Sequence, residues 1–121
     1  MGAARGGDLT TKITETVAVR MLLRPGAAAQ YRKRHDEIWP ELTAELRAAG
    51  IRDYRIFLDP ANHCLFAVIT RFTDHTMGEL PNKEVMRKWW TLMADLMVTE
   101  SDASPQVIAL EEMFSLAESP S

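Results

Sequence analysis

The sequence predicts an α+β domain with the ferredoxin-like order βαββαβ. Three observations lead there. Apolar residues alternate with a period of two in four separate stretches, they recur at helical spacing in two others, and Gly or Pro stands at most of the joins.

The first strand runs from Glu15 to Leu23, with Val17, Val19, Met21 and Leu23 set against Thr16, Ala18, Arg20 and Leu22. Arg24-Pro25-Gly26 stops it. Residues 27–49 are helical in composition, and Gly50 stands where a helix C-cap glycine belongs. Pro40 removes a backbone donor and pushes Trp39 away from helical dihedrals. A break is therefore expected there, with Pro40 opening a second helical piece that buries Leu42 and Leu46. Ile51 to Leu58 reads as the second strand, with Tyr54, Ile56 and Leu58 on one face and Arg55 and Phe57 on the other. Asp59 to His63 is a turn, and Cys64 to Phe72 is the third strand. Val85, Met86, Trp89, Leu92, Met93, Leu96 and Met97 follow a helical period. Ser101 to Pro105 is a loop, and Val107 to Leu116 is expected to form the last strand. The domain then spans 15–117, with tails at 1–14 and 118–121.

Two helices cover one face of a four-stranded sheet. Strands one and three, however, are apolar on both sides, with Leu65, Ala67 and Ile69 opposite Phe66 and Val68. The uncovered face calls for a second copy of the chain, a homodimer with its sheets facing. The site is expected between sheet and helices or near that interface.

Composition narrows the function. With 121 residues, 46% of them hydrophobic and 26% charged, the chain is one ordinary globular domain. A net charge of -3 with intermixed signs argues against nucleic acid or an anionic membrane as partner. Cys64 is the single cysteine, so no internal disulfide forms and a cytoplasmic home is expected. No apolar run is long enough to span a bilayer, and Met1 to Gly7 lacks the apolar segment of a signal peptide.

Tyr31, His35 and Trp39 are spaced four apart, so an unbroken helix would set phenol, imidazole and indole in one row. Such a row suits a polyhydroxylated molecule whose protons must be moved. His35 is the candidate acid or base because imidazole titrates near neutrality. Trp89-Trp90 add apolar walls with N–H donors, and neighbours on a helix point about a third of a turn apart, so at most one is fully core. Taken singly, each has a plainer reading: His35 as a solvated helix residue, Tyr31 and Tyr54 as core, the tryptophans as core and interface. Arg32, Lys33, Arg34, Arg87 and Lys88 read as solvated helix faces, and the methionines as packing. His35, His63 and His75 show no metal-ligand spacing, and His63-Cys64 point to opposite strand faces. No phosphate loop or dinucleotide fingerprint is present.

Together, Tyr31-Arg32-Lys33-Arg34-His35, Ile38-Trp39-Pro40-Glu41-Leu42, Tyr54 with Leu58-Asp59, and Arg87-Lys88-Trp89-Trp90 with Met93, Asp95 and Met97 resemble the L-rhamnose mutarotase family. The likeness extends from about Val17 to Leu116. It implies a dimeric α/β barrel that interconverts the α and β anomers of L-rhamnopyranose without metal or organic cofactor. It also implies His35 as proton donor and Tyr31, Tyr54, Trp89 and Trp90 as sugar-binding residues; the sequence leaves the base open between Asp95 and water. Ser115, small where the family is bulkier, and the segment Thr73 to Asn82 depart from the pattern and bear on sugar preference. Two other functions open to the same scaffold are an oxygenase, haem-dependent or cofactor-free, and a non-catalytic sugar-binding protein.

Overall fold

The computed structural model describes residues 13–116. Of the tails expected at 1–14 and 118–121, residues 1–12 and 118–121 lie outside the described residues, while Ile13 is described and Thr14 already belongs to the first strand. Strand β1 (Thr14–Leu22) is followed by two helices, α1 (Ala28–Asp36) and α2 (Pro40–Ala48). Then come β2 (Ile51–Asp59), β3 (Cys64–Phe72), a 3₁₀ turn (Met77–Asn82), α3 (Glu84–Met93), a second 3₁₀ turn (Ala94–Leu96) and β4 (Ile108–Ala109). The sheet order is β2-β3-β1-β4 and every pair is antiparallel, which is the predicted ferredoxin-like arrangement. Among the described residues no helix is long and apolar enough to cross a membrane.

The sheet register fixes the two faces. Val17, Val19 and Met21 of β1 oppose Ile69, Ala67 and Leu65 of β3, which in turn oppose Tyr54, Ile56 and Leu58 of β2. That row faces the helices and forms the core with Leu42, Met86, Trp89 and Met93. The other face carries Ala18, Arg20, Leu22, Phe57, Phe66 and Val68, and none of the three helices packs on it.

The break at Pro40 is as expected. The amides of Glu37 and Ile38 close α1 onto Lys33, Arg34 and His35 carbonyls, and Trp39 is extended with φ -67° and ψ 134°. Pro40 then opens α2, whose Leu42 is fully buried and whose Leu46 packs against the core. Gly50 ends that helical stretch with φ +102°, and any Cβ there would meet the His75 Cα at 3.1 Å. Its carbonyl accepts the Phe72 amide at 2.9 Å, so the close approach of two loops needs glycine twice over.

Two elements differ from expectation. The last helix was read through to Met97, but its final turn tightens into 3₁₀ geometry at Ala94–Leu96. The last strand was expected over Val107 to Leu116, and only Ile108–Ala109 pair with β1, with one more bond from the Leu110 amide to Ala18 at 2.9 Å. Beyond Leu110 the side chains Met113, Phe114 and Leu116 are 86%, 78% and 86% exposed. These three apolar side chains are left largely uncovered at that edge, so burial does not extend the strand past Leu110.

Candidate active site

Helices α1 and α3 and strand β2 bring the predicted residues together over the helix-facing side of the sheet. Tyr31 is buried, one helical turn before His35, and the two rings stack with centroids 4.3 Å apart. Trp89, 6% exposed, meets the His35 ring edge-on at 5.3 Å. Trp90 is half-buried against the same core. Of the two adjacent indoles, Trp89 is therefore the packed one and Trp90 keeps a free surface.

Trp39 completes the cluster by a route that periodicity misassigned. Its backbone has left the helix, so it does not continue the row of Tyr31 and His35. Its ring instead packs edge-on against Trp89 at 5.2 Å. Trp89 thus bridges His35 and Trp39. Trp39 thus joins the same aromatic cluster, and the signal for it is an indole placed directly before the helix-breaking proline.

Tyr54 enters from β2 on the helix side, as its pairing with Ile69 dictates. It remains 40% exposed and Leu58 39% exposed, so the site is open along β2. Burial pushes the pKa of the Tyr54 phenol up. Burial does the same to Tyr31, and the nearby Tyr54 adds to the rise. Both phenols consequently stay protonated at neutral pH and present O–H donors.

His35 is fixed in one tautomer. Its Nδ1 lies 3.1 Å from the Tyr31 carbonyl oxygen, which can only accept, so Nδ1 carries the hydrogen. The lone pair of the neutral ring then sits on Nε2. Burial lowers the pKa, an effect that the Tyr31 carbonyl and Asp36 partly oppose. At neutral pH the ring is a neutral imidazole with an available base.

Asp95 and Arg34 take roles other than those expected. Arg34 was read as a solvated helix face, yet it donates from Nη1 to Asp95 Oδ1 at 2.8 Å, from Nη2 to Asp95 Oδ2 at 3.3 Å and from Nη1 to the Leu92 carbonyl at 2.6 Å. The Asp95 carboxyl is held below the usual carboxylate range by that guanidinium. Both carboxylate oxygens are occupied, so Asp95 anchors α1 to the end of α3 and is not poised to take a proton.

Other candidates fall away from the site. Cys64 points its thiol at the Asn62 carbonyl at 3.6 Å, while His63 sits in the left-handed region at φ +54° in the turn. His75 Nδ1 accepts the Met77 amide at 3.1 Å, a structural task. Among the described residues no three His, Cys, Asp or Glu side chains group as metal ligands. Two surface hollows lie elsewhere. One, of about 320 Å³, is lined by Glu84, Arg87, Lys88 and Thr91, and one of about 180 Å³ lies between α2 and the first 3₁₀ turn. Neither encloses aromatic groups or a base, and the cluster around His35 is the better chemical site.

An α+β domain with one tautomerically fixed imidazole among phenols and indoles carries the groups with which a protein can bind a small hydroxylated molecule and move its protons. Comparison with known proteins makes this specific. The family model described as L-rhamnose mutarotase matches residues 16–116. An L-rhamnose mutarotase of Paraburkholderia xenovorans is 55% identical over 102 residues, covering 84% of this chain and 95% of that protein. One from Burkholderia cenocepacia is 57% identical, covering 84% and 98%. The crystal structure of an L-rhamnose mutarotase from Formosa agariphila, 40% identical, covers 85% of this chain and 99% of its own with a TM-score of 0.78. A Mycobacterium tuberculosis protein at 16% identity, TM-score 0.54, covers 87% of this chain and 100% of its own and shares the fold alone. The chain belongs to the L-rhamnose mutarotase family, isomerases that interconvert the anomers of a sugar.

Proposed function

We propose that this chain interconverts the α and β anomers of L-rhamnopyranose at the cluster of Tyr31, His35, Tyr54, Trp89 and Trp90, with His35 as the proton carrier. The observation that carries the reading is the bond from Nδ1 to the Tyr31 carbonyl, which leaves Nε2 as the one titrating atom of the imidazole.

Ring opening requires the anomeric hydroxyl to lose its proton and the ring oxygen to gain one. Nε2 takes the proton from the anomeric hydroxyl as the C1–O1 bond becomes a carbonyl and the bond from C1 to the ring oxygen breaks. The imidazolium so formed gives the same proton to the ring oxygen. Both oxygens are bonded to C1, so one nitrogen serves both. The open aldehyde turns about its C1–C2 bond and recloses on its other face by the reverse steps. No electrons and no external base are needed. The phenols of Tyr31 and Tyr54 donate to sugar oxygens, and the free surface of Trp90 accommodates the C–H side and the 6-methyl group. Anomer exchange of L-rhamnose, followed by NMR saturation transfer with and without protein, tests the assignment. Saturable binding without acceleration would replace it with a sugar-binding protein.

The pH dependence follows from the sign of the His35 shift. The working form is neutral and its pKa lies below the ordinary 6.5, so kcat/KM should rise with pH, reach half its plateau below 6.5 and be flat at neutrality. A midpoint above 6.5 would rule out the neutral base. By the same linkage, the stability that neutral His35 contributes is fully present above the unfolded-state pKa and is lost as pH falls through the lower folded value.

Arg34 and Asp95 position α1, and with it His35. Asp95→Asn should lower kcat about tenfold with KM little changed, since misplacing a reacting group costs rate more than binding. Arg34→Lys should behave similarly, because an ammonium cannot span both oxygens. An unchanged kcat in both variants would show that the anchor does not bear on the imidazole.

We also place the chain as a cytoplasmic homodimer with facing sheets. In support, the open face presents Leu22, Phe57, Phe66 and Val68, with Phe57 exposed, and the lone thiol of Cys64 is buried. Sedimentation at micromolar concentration is the check, and a clean monomer would refute the dimer.

A further inference from the structure

We propose that Trp39 is a positioning residue for the reaction: by bracing Trp89 it steadies the His35 ring, and with it the nitrogen that carries the proton. The catalytic purpose rests on the mutarotase reading, whereas the ring contacts do not depend on it.

The bonds of His35 leave its ring under-determined. Among the described residues one hydrogen bond holds it, between Nδ1 and the Tyr31 carbonyl at 3.1 Å. That bond sets the tautomer but lets the ring rock, and Nε2, which lies across the ring, moves when it does. Two neighbours limit the rocking. Tyr31 lies along one face, with centroids 4.3 Å apart and planes 30° from parallel, and Trp89 stands at 89° to the imidazole at 5.3 Å. Tyr31 belongs to the same helix as His35 and moves with it. Trp89 comes from α3, so it is the contact that refers the imidazole to the rest of the domain.

Trp89 is itself placed by shape. Its side chain makes no hydrogen bond to another described residue, so its plane is the one its neighbours leave open. Trp39 stands against it at 5.2 Å and 83°, an edge-to-face contact in which a turn of either ring is met by the other. Three rings therefore follow one another, Trp39 to Trp89 to His35, each nearly perpendicular to the next.

A brace needs a fixed root, and Trp39 has one. Its carbonyl accepts the amides of Leu42 and Thr43 at 3.0 and 3.1 Å, and Pro40 holds its backbone extended. The helix that follows is anchored by Leu42, 1% exposed. Had α1 run on unbroken, residue 39 would sit one turn beyond His35 on the same helix and would shift with it. The break hands the indole to α2, so the support comes from outside α1. It also differs from the support given by Arg34 and Asp95. That ion pair holds the helix carrying His35, while the two indoles hold the ring.

Trp39→Met tests this, since methionine fills space without a rigid edge. It should lower kcat for anomer exchange about tenfold and leave KM within about twofold, because a mobile base costs rate more than binding. The His35 titration, followed by NMR in the unliganded protein, should move as well. A loosened Trp89 admits water to a ring whose pKa is lowered chiefly by burial, so the midpoint should climb toward 6.5. The titratable and charged groups of the surrounding elements are untouched: Tyr31, Arg34 and Asp36 on α1, Tyr54 on β2 and Asp95 after α3. Such a rise therefore reports lost burial. Trp39→Phe keeps a shorter edge and should fall between wild type and Trp39→Met in both readouts. Leu46→Ala is the control. It removes core packing from α2 without belonging to any of the ring contacts, so it should lower the melting temperature and leave kcat and midpoint at wild-type values.

Either a wild-type kcat or an unmoved midpoint in Trp39→Met overturns the proposal. So does a raised KM at constant kcat, which would make Trp39 a sugar contact. Equal losses of kcat in Leu46→Ala and Trp39→Met overturn it too, since any loosening of α2 would then suffice. Should Trp39→Met fail to fold, Trp39→Phe decides by the same two readouts, with wild-type values counting against the proposal. If the wild-type protein exchanges no anomers, the mutarotase reading alone fails, and the titration still decides whether Trp39 holds the imidazole.

Discussion

His35→Ala should slow protein-catalysed anomer exchange by about 10²–10⁴-fold, the contribution of one well-placed general acid–base group. The far-UV circular dichroism should be unchanged, since His35 is half-buried on a helix whose ends are held by other residues. His35→Gln distinguishes positioning from titration. An amide can still donate to the Tyr31 carbonyl, but it offers no lone pair that protonates near neutrality. It should be as slow as alanine, and its residual rate should lose the pH dependence described above. A glutamine variant with near-normal rate would mean that His35 orients the sugar and another group moves the proton.

Trp89→Ala should cost about 3–5 kcal/mol of folding stability, the range for deleting a large buried aromatic side chain. For a domain of this size that corresponds to a fall in Tm of roughly 15 °C or more. Activity should fall with it, because Trp89 is the ring against which both His35 and Trp39 rest. Trp89→Phe should recover much of the stability, since an aromatic edge remains. Trp90→Ala should behave differently. Its indole is only partly buried, so the melting temperature should drop less while KM for rhamnose rises. Equal stability losses at the two positions, measured by thermal melts, would contradict the division of labour between them.

The fold was largely legible because its signals are local. β3 begins and ends where alternation predicted, at Cys64 and Phe72, and β1 and β2 differ by a residue at their ends. The helix break and the positive φ of Gly50 follow from the covalent chemistry of proline and glycine, which no tertiary context has to supply. The 3₁₀ turn at Met77–Asn82 has no counterpart in the sequence reading, because it is a short element with Leu80 as its buried residue and too few turns to show a period. The last strand was overcalled for a related reason. Apolar alternation reports the tendency of a segment to be covered, and the side chains of Met113, Phe114 and Leu116 stay largely exposed.

The site was legible in its residues but not in its connections. Tyr31 and His35 stack because four residues make one turn, which spacing states directly. That Trp39 reaches the same cluster after the helix has ended depends on where α3 delivers Trp89, a contact between residues fifty positions apart. The pairing of Arg34 with Asp95 is equally distant. Sequence therefore presented one as a surface charge and the other as a candidate base, and their proximity reversed both readings.

The edge-on contact between His35 and Trp89 has a spectroscopic consequence. Imidazolium draws charge from a neighbouring indole in a way that neutral imidazole does not. Two of the three tryptophans, Trp39 and Trp89, are linked to that ring. The emission of the unliganded protein should therefore dim as acid protonates His35, and the midpoint of that dimming is the microscopic pKa of the proton carrier. The molecule thus carries a built-in optical indicator of its own charge state, readable with no sugar in the cuvette.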